Sequence, residues 1–218
     1  MSVRVLALDS TAEFGSLAVV EDGLVIEEVP LHSPDGFSHI LFDQIESLLK
    51  RRGIRLAGFD GFAAASGPGS FTGVRVGLTA VKGLAAATGR KAAAVSNLQA
   101  LAWFGSHALR AAVLDARRGE VYGAIYDAAL RPVREEVVMK FPDWVATVPE
   151  GDLEIITNGF PIAAGLVKAP ITQAPRALAG AVGTIAIARF VKGLASDPAE
   201  IDANYVRRSD AELMWKDR

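Results

Sequence analysis

The sequence SGPGS at residues 66–70 has the composition of a phosphate-binding loop and stands directly before a long apolar segment. Its glycines would let a phosphate approach the backbone, and the first turn of a following helix would offer unpaired N–H groups to an anion. The spacing matches neither common nucleotide motif. Val74 and Arg75 stand where a P-loop has Lys-Ser/Thr, and Thr72 replaces the third glycine of the dinucleotide fingerprint. The loop is therefore either a weak anion site or a turn that lets the next helix pack.

Two aspartates each close an apolar run and precede a polar turn, where a carboxylate could hold a metal-bound phosphate. The candidates for an anion or nucleotide site in the first half of the chain are Asp9, Thr11, Gly67 and Gly69. Asp115 is the corresponding candidate in the second half. The alternative for each aspartate is that its side chain simply caps the turn.

The residue types needed for catalysis are poorly grouped. His32 and His39 are seven positions apart and His107 is remote, so no pair has the one-turn spacing of a helical zinc site. No Gly-x-Ser-x-Gly elbow marks a serine nucleophile. We therefore predict no catalytic residue and no metal ligand in this chain.

The composition narrows the class of protein. The 218 residues are 50% hydrophobic and carry a net charge of −2, so there is no global basic field to hold nucleic acid. Cysteine is absent, which excludes disulfides and thiolate metal sites and favours a reducing compartment. No apolar run approaches the ~18 residues of a membrane span, and the N-terminus lacks the features of a signal peptide. We expect a cytoplasmic protein that does not bind membranes.

The elements that must position these residues alternate between strand and helix. Short apolar runs separated by turn residues predict a three-stranded antiparallel meander over 3–29. The further predicted elements are helices near 37–52, 73–88, 97–109 and 177–193, strands over 60–66, 91–96 and 153–160, and a short helix or loop over 141–149. This order is typical of a mixed α/β sheet with helices on its faces.

The second half of the sequence repeats the first. AAVLDARRGEVYGAIYDAALRPVREEV echoes RVLALDSTAEFGSLAVVEDGLVIEEV, with Asp115 in the place of Asp9. A repeat at half the chain length indicates duplicated domains on either side of a cleft. Chance similarity between two amphipathic meanders is the alternative.

Two helices have wider apolar faces than one sheet can cover. The helix predicted over 73–88 has one apolar stripe and a second stripe of small residues, and the helix over 37–52 is similarly broad. Side by side they could form half of a four-helix interface with another chain. The alternative is that the second domain covers them.

The segments just described resemble the TsaB (YeaZ) family of the actin/hexokinase/Hsp70-like ATPase superfamily. The resemblance rests on SGPGSFTGVRVGLTAVKGLA at 66–85, LALDSTAEFGSLAVV at 6–20, VSNLQALA at 95–102, LDARRGEVYGAIYD at 114–127 and NYVRRSDAEL at 204–213, where Asn204 replaces a frequent proline. It implies two actin-like (ribonuclease H-like) domains, over 1–106 and 107–194. The segment from about 195 to 218 is then expected to return to the first domain.

The resemblance also implies a function. The family takes part in forming N6-threonylcarbamoyladenosine beside the anticodon of tRNAs, as a non-catalytic partner that binds and stabilises the catalytic TsaD-type paralogue. TsaD-like proteins carry a His-x-x-x-His pair where this sequence has Asn97 and Leu101, which cannot replace it as metal ligands. ATP and a metal ion are therefore expected on the partner subunits and no cofactor on this chain. A TsaE-type ATPase is expected in the larger complex, tRNA only through that complex, and a homodimer when the chain is alone.

In such a family the helices flanking the 60–65 strand form the partner surface. The candidate interface residues are His39, Phe42, Ile45, Leu49, Arg75, Gly73, Gly77, Ala80 and Leu84. The main alternative is a self-sufficient ATP-dependent transferase or kinase that uses the anion candidates above, although Arg117 and Arg118 replace the small residues of a phosphate turn. A metallopeptidase, suggested by the family's old grouping with glycoproteases, lacks a ligand pair.

Overall fold

The computed structural model describes residues 2–162 and 165–207, which form two compact units. The described part of the first unit comprises residues 2–100 and 176–203, and that of the second comprises 101–162, 165–175 and 204–207. The strands are β1 Arg4–Asp9, β2 Phe14–Glu21, β3 Leu24–His32, β4 Gly61–Ala65, β5 Lys91–Val95, β6 Leu109–Asp115, β7 Glu120–Asp127, β8 Pro132–Lys140, β9 Leu153–Thr157 and β10 Ile171–Gln173. The helices are α1 Leu41–Arg52, α2 Phe71–Thr88, α3 Asn97–Ala102, α4 Phe141–Val145 and α5 Ala179–Val191.

Each unit contains one five-stranded mixed sheet, and the two sheets have the same topology. The strand order is β3-β2-β1-β4-β5 in the first and β8-β7-β6-β9-β10 in the second. In each sheet the first three strands form an antiparallel meander and the last two run parallel to the strand that opened it. The predicted fold class and the internal repeat are thus confirmed at the level of topology.

The central strands of the first sheet are covered on both faces. All five residues of β4 are buried, with α2 packed on the strand and α5 contacting β1, β2 and β4. Strands buried on both faces have near-continuous apolar sequences rather than alternating ones. This explains why GFAAA at 61–65 carries no polar residue.

Helix α5 belongs to the first unit, which corrects the predicted division that placed residues 177–193 in the second domain. Gly180 and Gly183 let the helix approach the sheet closely, since a Cβ on Gly183 would lie 2.5 Å from a methyl group of Val20. The sheet also supplies the partners for the first turn of the helix. Ser16 Oγ accepts from the Ala179 N–H and Glu28 Oε1 from the Gly180 N–H, each at 2.9 Å.

The segment after α5 contacts both units in turn. Ser196 forms a bridge to Ala92 at the edge of β5, and Ile201 is buried in the first core. Beyond these residues, Asn204 Nδ2 donates to Glu136 Oε2 at 2.6 Å in the second unit. The predicted return to the first domain therefore holds for residues 196–203 and is wrong for 204–207, while 208–218 lie outside the described residues.

Several predicted boundaries were wrong for local reasons. Helix α1 begins at Leu41 rather than at 37, because residues 37–40 form a turn in which the Phe37 carbonyl accepts from Ile40 and Leu41. Helix α3 ends at Ala102 rather than at 109. The chain then turns at 106–107, where the buried Glu154 carboxylate accepts both backbone N–H groups, before β6 begins.

A helix that spans a membrane must be both long and apolar. Within residues 2–162 and 165–207, no helix combines the length and the apolar character needed to span a bilayer.

Gly77 faces the first unit's own sheet. A Cβ at this position would lie 2.7 Å from Ser10 Oγ and 3.0 Å from Leu8 Cδ1, whereas a Cβ on Gly83, six residues later in α2, would meet open space. Substituting each glycine by alanine therefore distinguishes the effect of close packing at Gly77 from the effect of helix propensity at Gly83.

We expect Gly77→Ala to lower the free energy of unfolding by about 1–3 kcal/mol, because the methyl group overpacks the contact with β1. Gly83→Ala should raise it by about 0.5–1 kcal/mol through improved helix propensity. Urea denaturation of both variants measures the difference. Equal effects at the two positions would contradict the close approach of α2 to β1.

Candidate functional site

The residues predicted as an anion site in the first half do come together. Thr11 donates to Asp9 Oδ1 from its backbone N–H at 2.9 Å and from its hydroxyl at 2.7 Å. The glycine loop lies against this turn, because the Ser70 N–H donates to the Thr11 carbonyl at 2.6 Å. A Cβ on Gly69 would lie 2.5 Å from the same carbonyl, so only glycine fits this approach. We call Asp9, Thr11, Gly67 and Gly69, with Asn97, the polar cluster.

Asn97 joins the two parts of the polar cluster. Its Nδ2 donates to Thr11 Oγ1 at 2.7 Å and lies 3.5 Å from Asp9 Oδ2. Its Oδ1 accepts from the Gly67 N–H at 2.9 Å, and its own backbone N–H donates to the Gly67 carbonyl at 2.8 Å. From the sequence, Asn97 stands out only as a residue that cannot replace a metal-ligating histidine. Its position just after β5 was the available signal, because the carboxyl ends of the parallel strands β1, β4 and β5 meet at one sheet edge.

Burial dominates the electrostatics of the polar cluster. Asp9 is 3% exposed, and burial raises the pKa of its carboxyl above the ordinary value of 3.8. The hydrogen bonds from Thr11 and Asn97 favour the charged form and offset part of that rise, while the nearby Glu28 carboxylate adds to it. The carboxyl group is thus enclosed by donors from its own chain.

The polar groups of the cluster already form hydrogen bonds with one another. An incoming phosphate would have to displace Asn97 to reach the Thr11 hydroxyl and the Gly67 N–H, which the asparagine now contacts. Breaking buried hydrogen bonds without replacement costs about 1–3 kcal/mol per group. The hydrogen bonds of the polar cluster instead hold the glycine loop in place. Ser70, the last residue of that loop, caps α2, because its hydroxyl accepts from the Gly73 N–H at 3.3 Å.

The candidates in the second unit have other surroundings. Asp115 lies in the second unit, is exposed, and accepts from the Arg117 N–H at 2.8 Å, which is the turn-capping role left open from the sequence. Leu101, at the second position of the ligand pair, is fully buried. Within the described ranges, no three His, Asp or Glu side chains are placed to share a metal ion.

A groove lies between α1 and α2 on the outside of the first unit. Its volume is about 440 Å³. The lining residues are mainly apolar side chains and short polar ones: Ser38, Leu41, Phe42, Phe71, Thr72, Arg75, Val76, Thr79 and Ala80. Phe42 and Phe71 are 58% and 42% exposed, and the Arg75 guanidinium lies 3.6 Å from the centre of the Phe71 ring. Two large exposed rings at one groove are unusual on a surface with no partner.

The predicted interface residues divide between this groove and the protein interior. Phe42, Arg75 and Ala80 line the groove, and His39 is exposed next to the groove residue Ser38. The other candidates face inward: Ile45 and Leu84 are buried in the core, Leu49 packs against it, and Gly73 and Gly77 contact the end of β1 and the turn after it.

The interface prediction is therefore corrected for the two glycines. They do not form a small-residue stripe for a partner helix, because their close approach is to Ser10 and Leu8 of their own chain. The partner-facing role of the groove residues themselves stays a prediction.

Comparisons with known proteins agree with the architecture. A family model described as "TsaD: tRNA N6-adenosine threonylcarbamoyltransferase" matches residues 28–189. The tRNA threonylcarbamoyladenosine biosynthesis protein TsaB of Bacillus subtilis is 30% identical over 72% of this chain and 71% of its own length. The Escherichia coli protein of the same name is 33% identical over 66% of this chain and 70% of its own. The solved structure of YeaZ from Pseudomonas aeruginosa has a TM-score of 0.79 at 27% identity, covering 93% of this chain and 99% of that one.

The paired sheets and their likeness to YeaZ define a two-domain, actin-like α/β protein. The family model covers well over half of the chain, and the TsaB relatives match it over most of their own length. The chain belongs to the TsaB (YeaZ) family, within the wider group that the TsaD model describes.

The raised pKa of Asp9 makes the stability of the fold depend on pH. Since the native carboxyl binds its proton more tightly than the unfolded one, the contribution of Asp9 to stability falls as the pH rises from 3.8 through the raised native pKa. It then stays constant at higher pH. Asp9→Asn keeps an oxygen that can accept from Thr11 and removes this titration.

We therefore expect the stability of Asp9→Asn relative to the wild type to increase across that pH window and to level off above it. Urea denaturation of both proteins from pH 3.5 to 7.5 measures the difference, in which the other carboxylates cancel. Parallel pH profiles for the two proteins would show that Asp9 titrates normally.

Proposed function

We propose that this chain is a non-catalytic partner in the formation of N6-threonylcarbamoyladenosine on tRNA, where it binds and stabilises a TsaD-type transferase. Family membership supports the pathway, because the TsaB relatives are named for threonylcarbamoyladenosine biosynthesis. The observation that carries the partner role is the groove between α1 and α2, with its exposed rings Phe42 and Phe71 beside Arg75.

The groove has the chemistry of a protein interface. Aromatic residues and arginine carry most of the binding energy in such surfaces, particularly where they are desolvated at the centre of the contact. Phe42 and Phe71 would supply that apolar centre, and the Arg75 guanidinium, already stacked on Phe71, would lie at its edge. A TsaD-type paralogue of the same family can present matching helices, and a second copy of this chain would occupy the groove when the paralogue is missing.

The polar cluster favours a non-catalytic role over the ATP-dependent alternative. Asn97 already binds the Thr11 hydroxyl and the Gly67 N–H, groups that an ATP phosphate would need. The nucleotide, the metal ion and the transfer chemistry are then supplied by the TsaD-type and TsaE-type subunits, and tRNA is reached through the complex. Titration calorimetry that gave micromolar affinity of the isolated chain for ATP would favour the self-sufficient enzyme instead.

Phe42→Asp should weaken binding to the TsaD-type partner at least about tenfold, because it places a carboxylate in the apolar centre of the groove. Leu24→Asp is the matched control, since Leu24 is 70% exposed at the start of β3 and does not line the groove. Calorimetry with the purified partner gives the affinity, and sedimentation gives self-association. Wild-type affinity for Phe42→Asp, or an equal loss for Leu24→Asp, would show that the groove is not the partner surface.

The pathway itself is tested in cells depleted of the protein. Mass spectrometry of tRNA nucleosides should show loss of threonylcarbamoyladenosine, restored by the wild type and by Leu24→Asp and not by Phe42→Asp. An unchanged nucleoside level after full depletion would refute the proposed function.

A further inference from the structure

Three flat side chains stack on one another in the first unit, where β2 begins and β3 ends. The Phe14 and His32 rings have centroids 4.4 Å apart and planes inclined by 19°. The guanidinium carbon of Arg176 lies 4.3 Å from the centre of the Phe14 ring. Two groups this close to one ring centre cannot share a face of the ring, so Arg176 and His32 lie on opposite sides of Phe14. We call Arg176, Phe14 and His32 the three-layer stack.

The sheet holds the two rings of the three-layer stack in place. Phe14 and His32 are direct partners in the antiparallel ladder, and the Ser33 N–H donates to the Glu13 carbonyl at 3.0 Å. His32 Nε2 lies 2.6 Å from Glu13 Oε1, and this contact fixes the plane of the imidazole ring. A ring that is already fixed loses little conformational entropy when another group stacks on it.

The outer face of His32 is exposed. Phe14 covers the inner face of the imidazole ring and Glu13 contacts its Nε2 edge, yet 50% of the side chain is accessible to solvent. The accessible part therefore includes the face turned away from Phe14. The three-layer stack thus ends in a flat aromatic surface, which is the kind of surface that holds unpaired nucleobases in proteins.

The charge of the three-layer stack suits the same kind of ligand. Arg176 is exposed, and no carboxylate among the described residues forms an ion pair with it. Its guanidinium group contacts Phe14 through its face, so its N–H groups can donate to a phosphate group beside the stack. The neighbouring carboxylate of Glu13 is paired with His32.

We propose that the outer face of His32 stacks on an unpaired nucleobase of tRNA when the chain is part of its complex. This inference rests on the proposed function, which brings the chain to tRNA. A free nucleotide offers the same base, but one stacked face gives it little affinity, whereas an RNA held elsewhere in the complex adds the contact at a high effective concentration. Duplex RNA does not fit, because its bases are already stacked on one another.

Two substitutions at His32 test the stacking contact. His32→Ala removes the ring, so the affinity of the assembled complex for a transcribed tRNA should fall at least about fivefold, as expected for one lost contact between a base and an aromatic ring. His32→Trp supplies a larger aromatic face and should restore or exceed the wild-type affinity. Filter binding at one fixed salt concentration measures both variants, and thermal unfolding shows how far each change affects the fold.

His107→Ala is the matched control for the loss of a histidine. His107 is 35% exposed and pairs with the carboxylate of Asp152, but it lies in the second unit, and no ring of the described residues stacks on it. Its removal should leave the tRNA affinity unchanged. A fully paired RNA duplex is the control for the ligand and should bind equally to the wild type and to His32→Ala. A titration with ATP should also give the same result for these two proteins.

The stacked base can be detected directly with 2-aminopurine, whose fluorescence is quenched when it stacks. The analogue is placed at unpaired positions of the tRNA in turn. The wild-type complex should quench it at one of these positions, and the His32→Ala complex should not.

The other outcomes separate this inference from the proposed function. If the complex assembles and His32→Ala keeps the wild-type tRNA affinity, or if His32→Trp binds no better than His32→Ala, the inference is wrong and the partner role stands. If His32→Ala loses a protein subunit while tRNA is still bound, the outer face binds a protein and the inference is equally wrong. A loss of affinity confined to ATP would overturn the assignment to RNA. If the wild type binds no TsaD-type partner, the proposed function fails, and quenching of 2-aminopurine by the isolated chain decides the inference.

Discussion

The hydrogen bonds of Asn97 are the interaction on which the arrangement of the first unit depends. One side chain contacts the turn after β1 through Thr11 and the glycine loop after β4 through Gly67, while its own backbone begins α3 after β5. Three segments far apart in sequence are thus fixed by a residue that is 2% exposed. Because buried polar groups cost free energy when unpaired, each of these bonds constrains the others.

The glycine loop links this buried arrangement to the surface. Ser70, at the end of the loop, donates its N–H to Thr11 and caps α2, so the start of the helix is set by the turn after β1. Phe71 and Arg75 lie in the first turns of α2 and line the groove. The loop that looks like a phosphate cradle in the sequence therefore positions the first turns of α2 and the groove residues Phe71 and Arg75.

The second constraint is the docking of α5 on the opposite face of the same sheet. Ser16 and Glu28 accept from the first backbone N–H groups of the helix, and the carboxylate of Glu28 also suits the positive end of the helix dipole. With α5 in place, β4 is buried on both faces, and none of its five residues is polar. The first unit thus has a sheet covered by helices on both faces, and α1 and α2 turn their outer faces away from it.

The sequence by itself determined the elements and their repetition. Turn residues and apolar runs are local properties, so the meanders, helix α2 and the duplicated topology could be predicted from it. The same local reasoning offered turn capping as one of two alternatives for Asp115. Phe42 and Arg75, which the sequence predicts as interface residues, are exposed on the two helices, and their partner role stays a prediction. The family motifs identified the TsaB (YeaZ) family for the same reason, since a motif is a contiguous stretch of chain.

Only the tertiary structure decided which side of each element meets which neighbour. Gly77 belongs to an apolar helix whether it faces a partner or β1, and the sequence cannot tell these apart because both demand a small residue. Likewise α5 is apolar nearly all round, and its assignment to the first unit depends on Ser16 and Glu28, more than 150 positions away. Asn97 acquires its role only when β1, β4 and β5 are brought side by side, because contacts between distant segments are not encoded in any local pattern.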